Sequence, residues 1–235
     1  MNRQEAGPYT GTDNLEIMAE AVNYNRFLIS LIAARAKPGD RILDIGAGIG
    51  TFAKDLVARG FSVSCMEPDA TQAALIKAAG LEVETSVDRF ANDSFDYAYS
   101  LNVLEHIEDD GAALQLWRTK LKPGGRLLVY VPAFQILYSS MDRKVGHFRR
   151  YTRSELAEKA IAGGFEIESL DYVDSLGFFA SLVYKMIGSD TGDINREALI
   201  AYDRYVFPMS RVGDVVFGKL LGKNVVLTAT NPVSL

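Results

Sequence analysis

The sequence predicts an α/β protein: a parallel sheet with right-handed crossovers and helices on both faces, doubly wound about its core. Three observations lead there. Strand and helix signals alternate from about residue 13 onward, joined by short connections. A glycine-rich turn, Asp44-Ile45-Gly46-Ala47-Gly48-Ile49-Gly50, falls between a buried strand and a helix. The 235 residues are 48% hydrophobic and 23% charged, the balance of a globular chain, which excludes a disordered one. The length suits a single domain spanning residues 1–235.

Each element has its own signal. Leu15, Met18, Ala19, Val22, Phe27, Leu28, Leu31 and Ile32 recur at helical spacing over Asn14 to Ala36. This helix forms an N-terminal cap at 13–36, and Pro38-Gly39-Asp40 ends it. Arg41 to Ile45 reads as a buried strand, and Thr51 to Arg59 as a short helix closed by Gly60. Phe61 to Met66 is the second strand, and Asp69 to Ala79 the second core helix, closed by Gly80. Leu81 to Glu84 is a third strand, Phe95 to Ser100 a fourth, and Asp110 to Leu121 a helix. After the turn Lys122-Pro123-Gly124-Gly125, a fifth strand runs from Arg126 to Val131.

Residues 132–153 are polar, aromatic and basic, with little periodicity. Ser154 to Ala162 is a helix ended by Gly163-Gly164, and Phe165 to Tyr172 is a sixth strand. Two apolar helical stretches follow, within 176–184 and 205–221, and Asn224 to Thr230 is a final β-rich segment. Neither apolar stretch reaches the roughly 20 residues of a membrane-spanning helix. They account for the slightly positive mean hydropathy, +0.03, and are expected to be core, a homodimer interface or a peripheral membrane contact.

Several classes of function are excluded. The net charge of −5 argues against nucleic-acid binding, and no Asn/Asp-Pro-Pro-Tyr motif of the kind used on flipped bases occurs. The single cysteine, Cys65, forms no internal disulfide, and two histidines, His106 and His147, make no zinc-type cluster. No metal site is expected; Glu105 and Asp109-Asp110 are the carboxylates nearest the predicted site. The opening residues lack the apolar core of a signal peptide, so a cytoplasmic location is expected. Cys65 and Trp117 read as packing residues.

In open α/β sheets ligands sit beyond the carboxyl ends of the strands. Glycines at the end of the first strand let a ligand lie against the backbone. Glu67, ending the second strand, can accept both hydroxyls of a ribose. The pattern is G-x-G-x-G, and Thr51 stands where a dinucleotide fold wants its third glycine. Asp44 suits a cationic ligand better than a pyrophosphate. Together these features favour S-adenosylmethionine, which carries a sulfonium, an amino group and no phosphate.

Leu43-Asp44-Ile45-Gly46-Ala47-Gly48-Ile49-Gly50, Glu67-Pro68, Ser94-Phe95-Asp96, Leu104-Glu105-His106-Ile107 and Leu121-Lys122-Pro123-Gly124-Gly125 occur in that order. The set resembles the class I S-adenosylmethionine-dependent methyltransferases, of small-molecule, bacterial type, over a cofactor-binding core at 40–131. The resemblance implies a Rossmann-like, doubly wound sheet of seven strands. The sheet would be mostly parallel, with an antiparallel last strand inserted between strands five and six. It implies that Gly46, Ala47 and Gly48 line the methionine and ribose part, with Asp44 beside them. Glu67 would hold the ribose hydroxyls and Pro68 would lie against the adenine. The residue after strand three that meets the adenine amino group has no clear match, Ser86 being the candidate. Leu101 and Asn102 would meet the methionyl end. On a leading helix that folds over the cofactor and carries Tyr9, Asn23, Tyr24, Asn25 and Arg26, Tyr24 or Arg26 would touch its carboxylate, with S-adenosylhomocysteine as product.

Residues 132–235 would supply the acceptor lid, inserted helices and final strands. His106, close to where the methyl should point, is either a base or a histidine that packs against the cofactor pocket. His147 is the second candidate catalytic residue. It belongs to a basic segment after strand five, in which Arg149 or Arg150 would grip an anionic or polar acceptor while Tyr151, with Tyr138, packs on it. The alternative is a connector whose arginines pair with nearby carboxylates. Thr152-x-x-Glu155 reads as a capping box for the next helix.

The expected function is methyl transfer to an O or N atom of a small-molecule acceptor, with anionic, sugar-linked and lipid-linked acceptors among the candidates. The alternative is a non-catalytic module that binds the cofactor and regulates. The expected partners are that acceptor, no nucleic acid, and a membrane surface or second copy through residues 176–221.

Overall fold

The computed structural model describes residues 17–187, 192–193 and 195–233. Seven strands form one sheet: β1 (Arg41–Ile45), β2 (Ser62–Met66), β3 (Glu82–Glu84), β4 (Phe95–Leu101), β5 (Leu121–Pro132), β6 (Glu166–Val173) and β7 (Asn224–Thr230). Their order is β3-β2-β1-β4-β5-β7-β6. The first five pair in parallel, and β7 runs antiparallel between β5 and β6. This is the seven-stranded, mostly parallel sheet the motifs imply. The central strands are apolar runs because both of their faces are covered.

On one face α4 (Asp110–Lys120) and α6 (Arg153–Ala162) pack Leu114, Trp117, Leu156 and Ala160 against Leu43, Ile45, Phe95 and Leu127. On the other, α1 (Val22–Ala33), α2 (Thr51–Ala58) and α3 (Ala70–Ala78) bury Leu28, Ile32, Leu56 and Ile76 against Ile42, Tyr97, Tyr99 and Tyr130. Cys65 and Trp117 are core residues. Strand order reverses between β1 and β4, which opens a crevice at their carboxyl ends.

Three elements differ from the sequence expectation. The turn expected at Lys122-Pro123-Gly124-Gly125 is part of β5, which begins at Leu121. The leading helix begins at Val22, not Asn14, after Glu20 and Ala21 close a turn onto the Ile17 and Met18 carbonyls; residues 9–16, Tyr9 included, lie outside the described residues. Asp203 accepts the amide hydrogens of Asn23 and Tyr24 at 2.9 and 2.8 Å, supplying from far along the chain the cap that Ala21 cannot. The 132–153 segment, expected to be irregular, contains α5 (Ser140–Val145), started by the Ser139/Asp142 capping box and stopped at Gly146 in the left-handed region. Apolar periodicity missed it because six residues are too few to show one.

The late apolar stretches are α7 (Ser175–Ile187), and α8 (Arg196–Ala201) joined through a π-helical turn at Tyr202–Val206 to α9 (Phe207–Phe217). Asp214 on α9 caps α7 by accepting from the Asp174 and Ser175 amides at 2.9 and 2.7 Å. Among the described residues no helix is long and apolar enough to cross a membrane.

Candidate active site

A cavity of about 1030 Å³ opens at the carboxyl ends of β1, β2 and β4, roofed by α1, α7 and α8. Ligand pockets run to roughly 300–1000 Å³, so this one has room for two molecules side by side.

Its first half is built at strand ends. Gly46 follows β1 at φ +76°, and a Cβ there would stand 2.3 Å from a Val103 methyl, so only glycine fits. The Gly46 and Ala47 amides donate to the Met66 carbonyl at 2.8 and 3.0 Å, holding the loop against the end of β2. Glu67 holds the next amide: Oε2 accepts from Gly48 at 2.7 Å, while Oε1 accepts from Asp69 at 2.9 Å. Burial raises the Glu67 pKa, and those two amides oppose it. Asp44 is buried, its Oδ2 has no hydrogen-bond partner among the described residues, and burial pushes its pKa up to about 7. Asn102 adopts φ +54°, rare for a residue with a side chain, and its amide donates to the Tyr130 carbonyl at 2.7 Å.

Tyr24 stands on α1 edge-on to Tyr130 and Phe207, with ring centroids 6.2 and 5.5 Å away, and burial raises its phenol pKa to about 12. Pro68 and Leu101 complete the expected lining. Arg26, by contrast, is exposed and, among the described residues, bonds Asn23.

The second half holds a buried ionisable cluster. The His106 and His147 rings meet edge to face, 4.5 Å between centroids. His147 Nδ1 lies 2.7 Å from Asp142 Oδ1. Asp142 also takes a two-pronged bond from Arg150, Nε and Nη2 donating at 2.8 and 2.9 Å, and the Ser139 amide at 2.8 Å. Burial alone would raise the Asp142 pKa, but His147 and Arg150 reverse that and hold it well below the carboxylate range. Burial, then the neighbouring His147, lowers the His106 pKa to about 4, so its ring is neutral at physiological pH. Glu105, behind the histidines, is fully buried; neither carboxylate oxygen has a hydrogen-bond partner among the described residues, and burial pushes its pKa up to about 8.

Of the sixteen site residues expected from sequence, twelve line the cavity and Ser86, Tyr138, Arg149 and Tyr151 do not. Ser86 instead accepts from the Asp88 amide at 3.3 Å, starting a short 3-10 turn. The cavity wall on that side comes from Asp69, Thr71 and Gln72, where Asp69 caps α3. Tyr138 donates to the His147 carbonyl at 2.7 Å. Arg149 pairs with Asp110 at 2.6 Å, and the buried Tyr151 hydroxyl donates to the same carboxylate at 2.9 Å. These three are braces of a connector, because groups of this chain already take their polar ends, the Asp110 carboxylate for Arg149 and Tyr151 and a backbone carbonyl for Tyr138. Arg150 reaches the cavity, with its fork on Asp142.

Sequence reasoning missed Asp142, whose signal was the Ser139-x-x-Asp142 box, and the cavity residues Lys223 and Asn224. Burial lowers the Lys223 ammonium pKa.

The outer boundary of this half is apolar. Gly177, Ala180 and Ser181 of α7 and Leu199 of α8 line the cavity. The opposite side of α7 exposes Phe179, Val183 and Met186, while α9 exposes Met209, Val212, Val215 and Val216; Met186 and Val215 keep 83% and 87% of their surface in solvent. Such contiguous exposure marks interaction surfaces.

Sheet order, glycine loop and acidic strand end define a Rossmann-like, S-adenosylmethionine-binding methyltransferase fold of class I. Residues 16–170 match the family model for a methyltransferase domain, and the chain belongs to that family. Among curated proteins it is 29% identical over 116 residues to the ubiquinone biosynthesis O-methyltransferase of Xanthomonas axonopodis pv. citri, covering 45% of this chain and 48% of that one. It is 31% identical over 108 residues to phosphoethanolamine N-methyltransferase 3 of Arabidopsis thaliana, covering 40% and 21%. The chain spans about half the length, or less, of the first of these curated relatives. Among solved structures, the putative methyltransferase in complex with the Haloferax volcanii Trm112 methyltransferase activator superposes with a TM-score of 0.68, covering 97% of this chain and 96% of that one; at 14% identity the likeness is one of fold.

The first half fits S-adenosylmethionine on its own chemistry. An unpartnered buried Asp44 oxygen suits a cation, Glu67 suits a diol, and the glycine loop lets both approach the backbone.

Proposed function

We propose that the protein transfers a methyl group from S-adenosylmethionine to an O or N atom of a small acceptor with a lipid-like body and a polar or anionic head. The observation that carries this reading is the largely apolar wall that α7 and α8 give the cavity, together with the exposed apolar surface on the far side of α7 and on α9. A water-soluble acceptor needs neither. A lipid-linked one would enter from a membrane surface on which the α9 face rests. The names of the relatives, one of ubiquinone biosynthesis and one of phosphoethanolamine, support O- and N-acceptors alike. Cytoplasmic location belongs to this reading.

The cofactor supplies an electrophilic methyl on a sulfonium. Glu67 holds the ribose hydroxyls, Asp44 faces the cationic end, and Asp69, Thr71 and Gln72 border the adenine. Tyr24 and Asn102 border the methionyl end. Displacement is one step, so the chain's task is alignment and removal of one proton. Neutral His106 is in the form that accepts a proton, and Asp142 orients His147 beside it. Arg150 and Lys223 give the head a cationic side.

Labelled S-adenosylmethionine incubated with a lipid extract and, separately, with water-soluble metabolites tests the reading. Label in the lipid phase that is lost in His106→Ala is expected. Label confined to water-soluble products removes the lipid-linked acceptor, and cofactor binding without turnover on either set leaves the regulatory module.

A further inference from the structure

We propose that Glu105, His106 and His147 bind one divalent first-row transition-metal ion, of zinc or iron(II) type, with its open positions turned toward the acceptor half of the cavity. One Glu105 oxygen and one nitrogen from each histidine lie within 4.8 Å of one another. Donors at about 2.0–2.1 Å from a common ion stand roughly 3.4 Å apart at a tetrahedral angle and at most ~4.2 Å apart. The 3.8 Å between His147 Nε2 and Glu105 Oε1 already falls in that window. A pair at the 4.8 Å limit would close by up to roughly 0.6 Å to reach even the widest of these spacings, and by about 1.4 Å for the tetrahedral one.

Glu105 adds an independent sign. Its carboxylate is fully buried and neither oxygen has a hydrogen-bond partner among the described residues. Buried polar atoms in folded proteins are nearly always satisfied, by protein, water or ion. The neighbouring cation is not bonded to it: Arg150 puts Nε and Nη2 on Asp142, and its remaining nitrogen makes no hydrogen bond to Glu105. An ion between Glu105 and the two imidazoles would.

The outer shell of such a site is also in place. A metal-binding histidine usually gives its other ring nitrogen to a carboxylate, which sets tautomer and orientation. His147 Nδ1 is on Asp142 at 2.7 Å, which leaves Nε2 for the ion; Asp142 in turn is held by Arg150 and the Ser139 amide.

Two imidazoles and one carboxylate form the donor set of open zinc sites and of non-haem iron(II) sites. Both histidines line the cavity with Glu105 behind them, so the free positions face where an acceptor would lie. A hydroxyl oxygen of the acceptor is the ligand expected there, and an ion-bound His106 has no lone pair left to act as the base, so in the loaded protein the ion replaces that role; these last assignments rest on the methyltransferase reading, whereas the metal site does not.

The test uses the full chain, stripped with a chelator and without cofactor, titrated with Co²⁺ and with Zn²⁺. One ion per chain and cobalt absorption bands of a nitrogen/oxygen site are expected. Glu105→Gln, which keeps the side-chain shape, should weaken uptake about 100-fold and His147→Ala at least as much, while Asp142→Asn should cost about tenfold. Circular dichroism and melting on each variant separate lost ligands from lost fold, and the cobalt spectrum of Glu105→Gln decides if a histidine variant fails to fold. No stoichiometric uptake by the parent overturns the site, as does uptake unchanged in Glu105→Gln and His147→Ala. S-adenosylmethionine affinity measured on the same samples keeps the two readings apart: metal uptake without cofactor binding defeats the proposed function alone, and the reverse defeats the metal site alone.

Discussion

The two halves of the cavity are built differently. The cofactor half is made where strands end and helices begin, from Asp44, Gly46, Gly48, Glu67 and Asn102, each placed by the pairing of adjacent parallel strands. The acceptor half is assembled from segments that meet only after folding: His106 after β4, Asp142 and His147 around α5, and apolar faces of α7 and α8. In the first half backbone amides answer Glu67, and Asp44 Oδ2 is the oxygen without a partner among the described residues; in the second, side chains answer one another across long sequence distances, and Glu105 is left unanswered. Local chemistry makes a general cofactor seat, and remote chemistry makes the specific one.

Removing the keystone of the acceptor half should have the largest effect. Asp142→Ala leaves Arg150 and His147 buried without their anion, which costs about 3–5 kcal/mol and should appear as a large drop in melting temperature. Glu67→Ala should remove charged hydrogen bonds at roughly 1.5–3 kcal/mol each and weaken S-adenosylmethionine binding by about 10–100-fold in isothermal titration, with little change in melting. A variant that melted early and bound normally would reverse the contrast between the halves.

Next comes pH. The folded Asp44 pKa, about 7, lies above its ordinary value of 3.8. The neutral form therefore favours the folded state: that contribution is complete below pH 3.8, falls as pH rises toward 7, and is gone above it. The stability advantage of the parent over Asp44→Asn should shrink from pH 5 to 7, measured by denaturant unfolding. Cofactor affinity should move the opposite way, rising through pH 7 as the carboxylate forms, and Asp44→Asn should flatten it. Smallest of all, Ser86→Ala should leave cofactor affinity unchanged in the same titration, because Ser86 only caps a 3-10 turn away from the cavity.

Much of the fold and of the cofactor half was legible in the sequence, and little of the acceptor half. The strands between Arg41 and Val131 announced themselves because both their faces are buried. Glu67 was legible because strand and glycine loop place it whatever else the chain does. Arg149 and Tyr151 were not: a basic, aromatic run reads the same whether it faces a ligand or Asp110, and only the packing of α4 beneath it chose the second.

By itself, then, the sequence determined the seven strands, their crossovers and the seat at the end of β1 and β2, since these follow from periodicity, glycine conformation and the handedness of βαβ units. Only the tertiary structure decided the caps of α1 and α7, given by Asp203 and Asp214. Only it decided that Asp142 binds both His147 and Arg150 and that Glu105 is buried beside two imidazoles. The reason is physical: a backbone pattern is a local property that neighbouring residues impose on one another. The partner of a buried charge depends on which distant segment happens to lie within about 3 Å of it, and no local pattern encodes that distance.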